Sequence, residues 1–342
     1  MRQEERRYQR LVETLAGKRR LLIVIHDHPD PDALAGALLL RHIAQRACDL
    51  PADIAHGGLI GRAENRAMVR ALRIPLSHFR DVKLERYDAV ALVDTQPQTG
   101  NNSLPADRMP DIVFDHHPQR RTTREVQFSD VRDHYGAVAT ILYEYMQAAG
   151  LEPDRRIATA VFYAIRSETQ NLGRESTPAD ARAFGALFPV TDNRLLARIE
   201  HAPFSREYLV ILASAFRATR TYGSLAIACL ERIPYPDVPA QLADLLLRVD
   251  DIHWVLVMGV HRRRIYLSIR TLDPEANAAR SLQRIVGELG RAGGHGMIAG
   301  GRVDLQVVGR KAGPVQRELA RRARKVLGVP GRRGRALLAR QA

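Results

Sequence analysis

The sequence is poor in cysteine, lysine and aromatic residues, and it has no long apolar run. Two cysteines, Cys48 and Cys229, cannot form a disulfide framework or a CxxC metal site, so any metal must be held by histidine and carboxylate side chains. The apolar runs, such as Tyr208 to Phe216, stop far short of the ~18 residues that span a bilayer. The opening MRQEERRYQR carries no signal-like apolar segment. A cytoplasmic location with no membrane partner is therefore expected. Aromatics make up 6% of the chain with a single tryptophan, so few side chains can stack on bases, and Tyr135, Phe128 and Trp254 are not separable for that role. Glycine at 24 and proline at 18 are near ordinary usage, and no heptad pattern is sustained, which excludes collagen-like, disordered and coiled-coil classes. What remains is a folded protein whose 342 residues, 45% hydrophobic, exceed the need of one ordinary core and point to two globular domains.

The net charge is +14, and arginine supplies nearly all of the positive charge, since only Lys18, Lys83, Lys311 and Lys325 are lysines. From Arg310 onward eleven positive residues face Glu318 alone. Such a field attracts phosphate polymers without sequence preference. A merely solvated face has the same composition, so nonspecific nucleic-acid affinity of this tail stays one of two readings.

Tyr8, Leu11, Val12 and Leu15 recur at helical spacing, and LLIVI (Leu21 to Ile25) is a continuous apolar run of the length of a buried parallel strand. AVALV (Ala89 to Val93) and DIVF (Asp111 to Phe114) repeat the pattern, with helix-like stretches at Ala33 to Ala47, Asn65 to Leu72 and Ala137 to Ala149. Strands alternating with helices predict an α/β domain with a doubly wound parallel sheet. Helical patterns dominate from Asp154 to about Phe216, with a break at Phe188-Pro189. After Tyr222 come the strand-like runs YGSLAIACL, HWVLVMGV and RRIYLSIR, a helix over Leu282 to Leu289, a glycine-rich loop, a strand over Val303 to Val308 and a basic helix. These predict a second, smaller α/β domain. The expected division is 1–190 for the first domain, 191–219 for a helical linker, 220–328 for the second domain and 329–342 for a basic tail.

Each of the three first-domain strands runs into acidic or imidazole side chains. LLIVI leads into His26-Asp27-His28-Pro29-Asp30-Pro31-Asp32, AVALV into Asp94, and DIVF into Asp115-His116-His117. In an open parallel sheet the carboxyl ends of the strands face one crevice, so these groups converge there. Pro29 and Pro31 hold the first loop extended, which puts Asp30 and Asp32 on one side. Clustered carboxylates repel unless a cation compensates, and with neutral imidazoles they form a mixed N/O set suited to manganese, or to magnesium with waters retained. Taken singly, Asp32 reads as the N-cap of a helix starting at Ala33, Asp94 as a turn residue before Thr95, and Asp115 as a loop cap. His42, His56, His78, His201 and His253 lack such company and read as surface or satisfied core histidines. The three clusters together point to a two-metal hydrolase.

The succession HDHPDPDALAGA, VDTQPQTGNNSLP, FDHHP, GAVAT, SETQNLGRES, SIRT and AGGHGMIAGG resembles the DHH-DHHA1 phosphoesterases over about residues 20 to 310. It is nearest to the branch of oligoribonucleases that also act as phosphatases on 3′-phosphoadenosine 5′-phosphate. The resemblance implies two Mn²⁺ ions. His26, Asp30 and Asp94 would hold one, and Asp32, Asp94 and His116 the other, with Asp94 bridging. His117 would contact the scissile phosphate, with Asp115 supporting the centre from behind. Where many relatives carry Ser/Thr-Asp-Thr and a further carboxylate for the second metal, this chain has Ser167-Glu168-Thr169, one methylene longer. Ala35-Gly36 stands in place of the Gly-Ser that often follows the first loop. In the second domain Arg270 resembles the family's substrate-phosphate arginine, a planar fork for an anion. Gly293, Gly294 and His295 would form a loop whose N–H groups approach a phosphate. Arg62, in GLIGRAEN, is a further substrate-binding candidate.

The resemblance thus implies a Mn-dependent phosphodiesterase and phosphatase that acts on short oligonucleotides or a nucleoside bisphosphate by two-metal activation of water, in a cleft between the DHH and DHHA1 domains. Enzyme rivals are a cyclic-dinucleotide phosphodiesterase, which usually has extra sensory domains, a linear-dinucleotide hydrolase, and a processive single-strand exonuclease, which has an added OB-type domain. From another class, the protein would be a nucleic-acid-binding regulator that uses its basic tail over a silent metal site altered at Glu168. A homodimer stays open.

Overall fold

The computed structural model describes residues 3–329 and 333–338, with the side chain of His295 outside that description. The chain divides into two compact units, Met1–Ala202 and Pro203–Ala342.

The first unit runs α1 (Gln3–Leu15), β1 (Leu21–Ile25), α2 (Pro31–Ala47), β2 (Ala52–His56), α3 (Ala63–Ala71), β3 (Leu76–His78), β4 (Ala89–Val93), β5 (Ile112–Asp115), β6 (Phe128–Val131), α4 (Val138–Ala148), α5 (Arg155–Glu168), α6 (Pro178–Leu187) and α7 (Asn193–Glu200). Its six strands are all parallel, in the order β3-β2-β1-β4-β5-β6. The chain steps outward from β1 to β3, returns to β4, and steps outward the other way. The reversal between β1 and β4 makes the carboxyl ends of those two strands the natural ligand crevice. One sheet face packs on the α-helices through Leu21, Ile23, Ile25, Ala91, Val93 and Phe114. The other, through Leu22, Val24, Val90, Leu92 and Val113, is covered by Leu104, Met109 and the short 3₁₀ turns at Phe79–Asp81 and Leu84–Arg86. The second winding therefore uses turns and loops where the first uses α-helices.

Helix α2 is buried on nearly every side, as a sequence of small and aliphatic residues such as ALAGALLL requires, and it packs against α4 and α5. Gly36 sets its closest approach: a Cβ there would meet Val93 Cγ1 at 2.9 Å and Val138 Cγ1 at 3.0 Å.

The second unit runs α8 (Arg206–Ala218), β7 (Arg220–Tyr222), β8 (Leu225–Leu230), α9 (Val238–Leu246), β9 (Trp254–His261), β10 (Arg264–Thr271), α10 (Ala278–Val286), β11 (Arg291–His295), β12 (Ile298–Asp304), α11 (Leu305–Val308), α12 (Ala312–Val326) and β13 (Arg335–Ala336). Its mixed sheet has the order β11-β12-β10-β9-β8-β7-β13, antiparallel except for the β8–β9 pair. Residues alternate along β8: Leu225 and Ile227 face α10 and α12, and Ala226, Ala228 and Leu230 face α9.

Two expectations change here. The glycine segment read as a loop is strand β11, with Gly293 and Gly294 paired to Gly300 and Ala299, so its backbone N–H groups lie in a hairpin. The strand read over 303–308 starts earlier, at Ile298, and gives way to α11 because Asp304 caps a helix by accepting from Gln306 N. The stretch read as a linker divides, α7 joining the first unit and α8 the second. Within the residues read as a tail, Arg335 and Ala336 add an edge strand on β7, and Gly334 lies against the Tyr222 ring, where a Cβ would meet it at 2.8 Å. Among the described residues no helix is long and apolar enough to cross a membrane.

Candidate metal centre

The side chains at issue leave the carboxyl ends of β1, β4 and β5. Asp30, not Asp32, is the N-cap of α2: its Oδ1 accepts from Asp32 N and Ala33 N, both at 3.0 Å, and Pro31 occupies the first helical position. The helix thus begins two residues before the expected start. Asp32, 1% exposed, lies inside its first turn and reaches the N-terminus of α4, accepting from Val138 N at 2.7 Å and Ala139 N at 2.9 Å. Asp94 follows β4 with φ of 58°, a left-handed conformation that Asp and Asn tolerate better than other side chains. Its N–H donates to Phe114 O at 2.9 Å, which seats it beside the strand that delivers Asp115, His116 and His117.

Around Asp94 the donors gather in two groups, His26, Asp30 and Asp94, and Asp94, His116 and His117, the ligand atoms of each lying within 4.8 Å of one another. His26 Nε2 is 3.6 Å from Asp30 Oδ2 and 3.4 Å from Asp94 Oδ2. On the other side His116 Nε2 is 3.6 Å from Asp94 Oδ1 and 3.7 Å from Asp32 Oδ2, and His117 Nδ1 is 3.5 Å from Asp94 Oδ1. These spacings exceed a hydrogen bond, ~2.7–3.2 Å. They match instead the separation of two ligands that each sit ~2.1 Å from a common ion. Asp94 Oδ1 is buried with no hydrogen-bond partner among the described residues, which a carboxylate oxygen does not tolerate unless something else compensates it. The residues present fit divalent cations.

Electrostatics agree. Burial, with Asp94, Glu168 and Asp30 nearby, pushes the Asp32 carboxyl well above the carboxylate range. Burial and Asp30 likewise push Glu168 up, against His116 and Arg174. Burial disfavours a charged His26, yet Asp30 and Asp94 lift its ring well above the ordinary value. Burial also opposes the Asp30 charge, but His26, the Ala33 N–H and Arg62 hold that carboxyl below its usual range. Without an ion the cluster thus retains protons in place of positive charge, and a metal would displace them.

Residues 20–165 match the DHH family, N-terminal domain. The protein MJ1633 of Methanocaldococcus jannaschii, described as uncharacterized, is 36% identical over 290 residues, 84% of this chain and 58% of that relative. The likeness to the DHH family is one of residues 20–165. This chain spans somewhat more than half the length of the curated relative it matches. Among solved structures, an exopolyphosphatase-related protein from Bacteroides fragilis superposes with a TM-score of 0.75 at 12% identity, covering 94% of this chain and 96% of its own. The DHH domain of a member of a family of ribosomal proteins gives 0.50 at 12% identity, covering 95% and 89%. At such identities the likeness is one of fold.

Within the matched residues, His117 is 41% exposed on its side chain and its Nδ1 lies 2.8 Å from Asp115 Oδ1. Burial opposes charge on this ring, but Asp115 raises it to about 10 in the ion-free cluster. Asp115 in turn accepts from His116 N and His117 N, and burial of its charge is more than offset by His117, His116 and Gln96. Gln96 escapes sequence reading: fully buried, it donates to Asp115 Oδ2 at 2.7 Å while its Oε1 accepts from Thr123 Oγ1 and Arg120 N, both at 2.7 Å. Only its position two residues past Asp94 hints at this. Glu168 ends α5 beside the cluster, its Oε1 3.9 Å from Arg174 Nη2 and outside both donor groups. Arg62, at the N-cap of α3, is near enough to lower the Asp30 carboxyl. Arg270, Gly293, Gly294 and His295 belong to the second unit. There Arg270 is engaged, Nε donating to Asp244 Oδ1 at 2.7 Å and Nη1 to Ser268 Oγ at 2.7 Å, so part of the expected fork is already used.

Proposed function

We propose that this chain is a phosphoesterase with two divalent ions, most simply Mn²⁺, that hydrolyses short oligonucleotides and 3′-phosphoadenosine 5′-phosphate. The observation that carries the metal part is the Asp94 carboxylate, common to two donor groups and with its buried Oδ1 unpartnered among the described residues. The substrate part is supported by the DHH match together with motifs continuing beyond it to Arg270 and the Gly293 segment. When bound, two such ions supply Lewis acidity and ionise a water near neutral pH. His26, Asp30 and Asp94 would hold one ion, and Asp32, Asp94 and His116 the other, to which Glu168 would add a carboxylate. Asp115 orients His117 through Nδ1, so the other ring nitrogen can donate to a phosphate oxygen as negative charge builds on it. Arg62 supplies a cation beside Asp30 for a phosphate, and in the second unit Arg270 and the Gly293–His295 segment would hold a second, non-reacting phosphate or terminal nucleotide.

The test is hydrolysis of a dinucleotide, of 3′-phosphoadenosine 5′-phosphate and of a cyclic dinucleotide, each with Mn²⁺ and with chelator. Mn²⁺-dependent release of mononucleotide or phosphate from the first two is the expected result. Turnover of the cyclic substrate alone would move the assignment to a cyclic-dinucleotide phosphodiesterase, and nucleic-acid binding without turnover of any of them to a regulator.

A further inference from the structure

Asp130, Arg132, Tyr135, Glu144 and Tyr145 form a largely buried polar assembly that none of the ligand roles uses. Arg132, 4% exposed, lies between two carboxylates: Nε and Nη2 donate to Asp130 at 2.9 and 2.7 Å, and Nη1 donates to Glu144 Oε2. Tyr145 Oη donates to Asp130 Oδ2 at 2.7 Å, Tyr135 Oη donates to Glu144 Oε1 at 2.9 Å, and the Arg132 guanidinium stands 4.9 Å from the centre of the Tyr135 ring. A buried ion pair of this kind is weak evidence for stability, because desolvation consumes much of its attraction. Its backbone connections are specific. Arg132 N donates to Asp115 O at 3.0 Å, Tyr135 N donates to Arg132 O at 3.0 Å, and the Tyr135 carbonyl lies 3.1 Å from His116 Nδ1. Three and four residues on, Val138 N and Ala139 N donate to Asp32. Asp32 and His116 are thus both held from one stretch of chain. His26 and Asp30 are held elsewhere, His26 by Asp27 O at 2.9 Å and Asp30 by capping α2.

We propose that Arg132, Glu144 and Tyr135 are positioning residues: they hold the Tyr135 carbonyl against His116, fix that ring as its Nδ1–H tautomer with Nε2, the nitrogen that faces Asp94 and Asp32, carrying the lone pair, and so preset the Asp32–His116 half of the centre independently of the His26–Asp30 half. The inference rests on the metal-binding part of the proposed function. A carbonyl on one ring nitrogen selects which nitrogen can bind an ion, and partners behind a ligand typically change affinity by ~10–100-fold.

The test uses the full chain with Tyr135→Phe and Glu144→Gln, and Tyr87→Phe as a control, since the Tyr87 hydroxyl donates to Asp53 at 3.0 Å near the amino ends of the strands. Calorimetric Mn²⁺ titration should show one of two ions weakened by ~10–100-fold in Tyr135→Phe and Glu144→Gln, the other unchanged. Nitrogen NMR of the ion-free protein should show a single His116 tautomer in the parent and a mixture in these variants. Tyr87→Phe should lower the melting temperature alone. Equal weakening of both ions, or a His116 tautomer unchanged in both variants, would overturn the proposal. Should the parent bind no divalent ion, the metal reading falls, and the tautomer measurement still decides this one. If Glu144→Gln does not fold, Tyr135→Phe carries the comparison.

Discussion

Asp94 meets two demands with one side chain, a left-handed backbone at the end of β4 and a carboxylate common to both donor groups. Asparagine satisfies the first and not the second, so Asp94→Asn separates them. Both Mn²⁺ sites should be lost by calorimetry, and turnover should fall by more than the ~10–100-fold typical of a residue that only supports a ligand. Asp94→Ala should add a folding penalty of roughly 1–2 kcal/mol from the backbone conformation. The ion-free Asn variant should also melt no lower than the parent at pH 7. Asp32 binds its proton more tightly in the folded than in the unfolded chain, through burial and then through Asp94, Glu168 and Asp30. Ion-free stability therefore falls as pH climbs from the usual carboxylate range toward that raised value, and removing the Asp94 charge lessens the fall. A lower melting temperature for Asp94→Asn than for Asp94→Ala would contradict this account.

At the scale of elements, Asp30 joins a helix start to the centre. An N-cap contributes about 1 kcal/mol, and asparagine caps as well as aspartate. Asp30→Asn should leave the melting temperature of the ion-free protein near that of the parent while weakening one Mn²⁺ site, and Asp30→Ala should lower both. Equal destabilisation by the two substitutions would mean that the carboxylate charge, not the cap, supports α2. The same local logic decides what can be read in advance. β1, β4 and most of β5 are legible because strands buried on both faces are continuous apolar runs. β2, β3 and β6 are broken by polar residues, Asp53, Ser77 and Asp130 among them, and β3 has only three positions, so period alone does not find them. His26, Asp30, Asp94, His116 and His117 are legible because each lies at or just beyond the end of a strand. The bond from Asp32 to the start of α4 is not, since its partners lie over a hundred residues away and nothing local encodes that pairing. The β11 hairpin escapes because glycines in sequence signal a turn, whereas here they are strand residues where backbones approach closely: a Cβ on Gly294 would lie 2.4 Å from Ile298 O.

At the scale of the whole molecule, the proposed function gives the second unit and the C-terminal arginines distinct contributions to binding a polyanion. Arg270 is held by Asp244 and Ser268, as a preorganised group would be. Arg270→Gln should raise KM most for the shortest substrates, which have few other phosphates to engage. Deleting the last residues is a poor test of charge, because it also removes the β13 pairing on β7. Neutralising Arg333 and Arg335 to Gln keeps that edge; Arg332 and Arg340, also counted in the basic tail, lie outside the described residues. The double substitution should weaken only longer strands, with a loss that shrinks as salt rises. A hydrolysis series from dinucleotide to 24-mer at two salt concentrations checks both. Dinucleotide turnover intact in Arg270→Gln and abolished by the double substitution would transfer substrate binding to the tail.

Gly36 contributes no ligand atom, yet it sets how far α2 stands from the last residue of β4. Asp30 and Asp32 travel with that helix and Asp94 with that strand, so under the proposed function the gap at Gly36 acts as a calliper on the carboxylates that would hold the ions. Mg²⁺ requires oxygens at ~2.0–2.1 Å, while Ca²⁺ accepts ~2.3–2.6 Å. A methyl at Gly36 would press on Val93 and Val138, so under the proposed function helix packing, as well as the choice of ligands, bears on which ion fits.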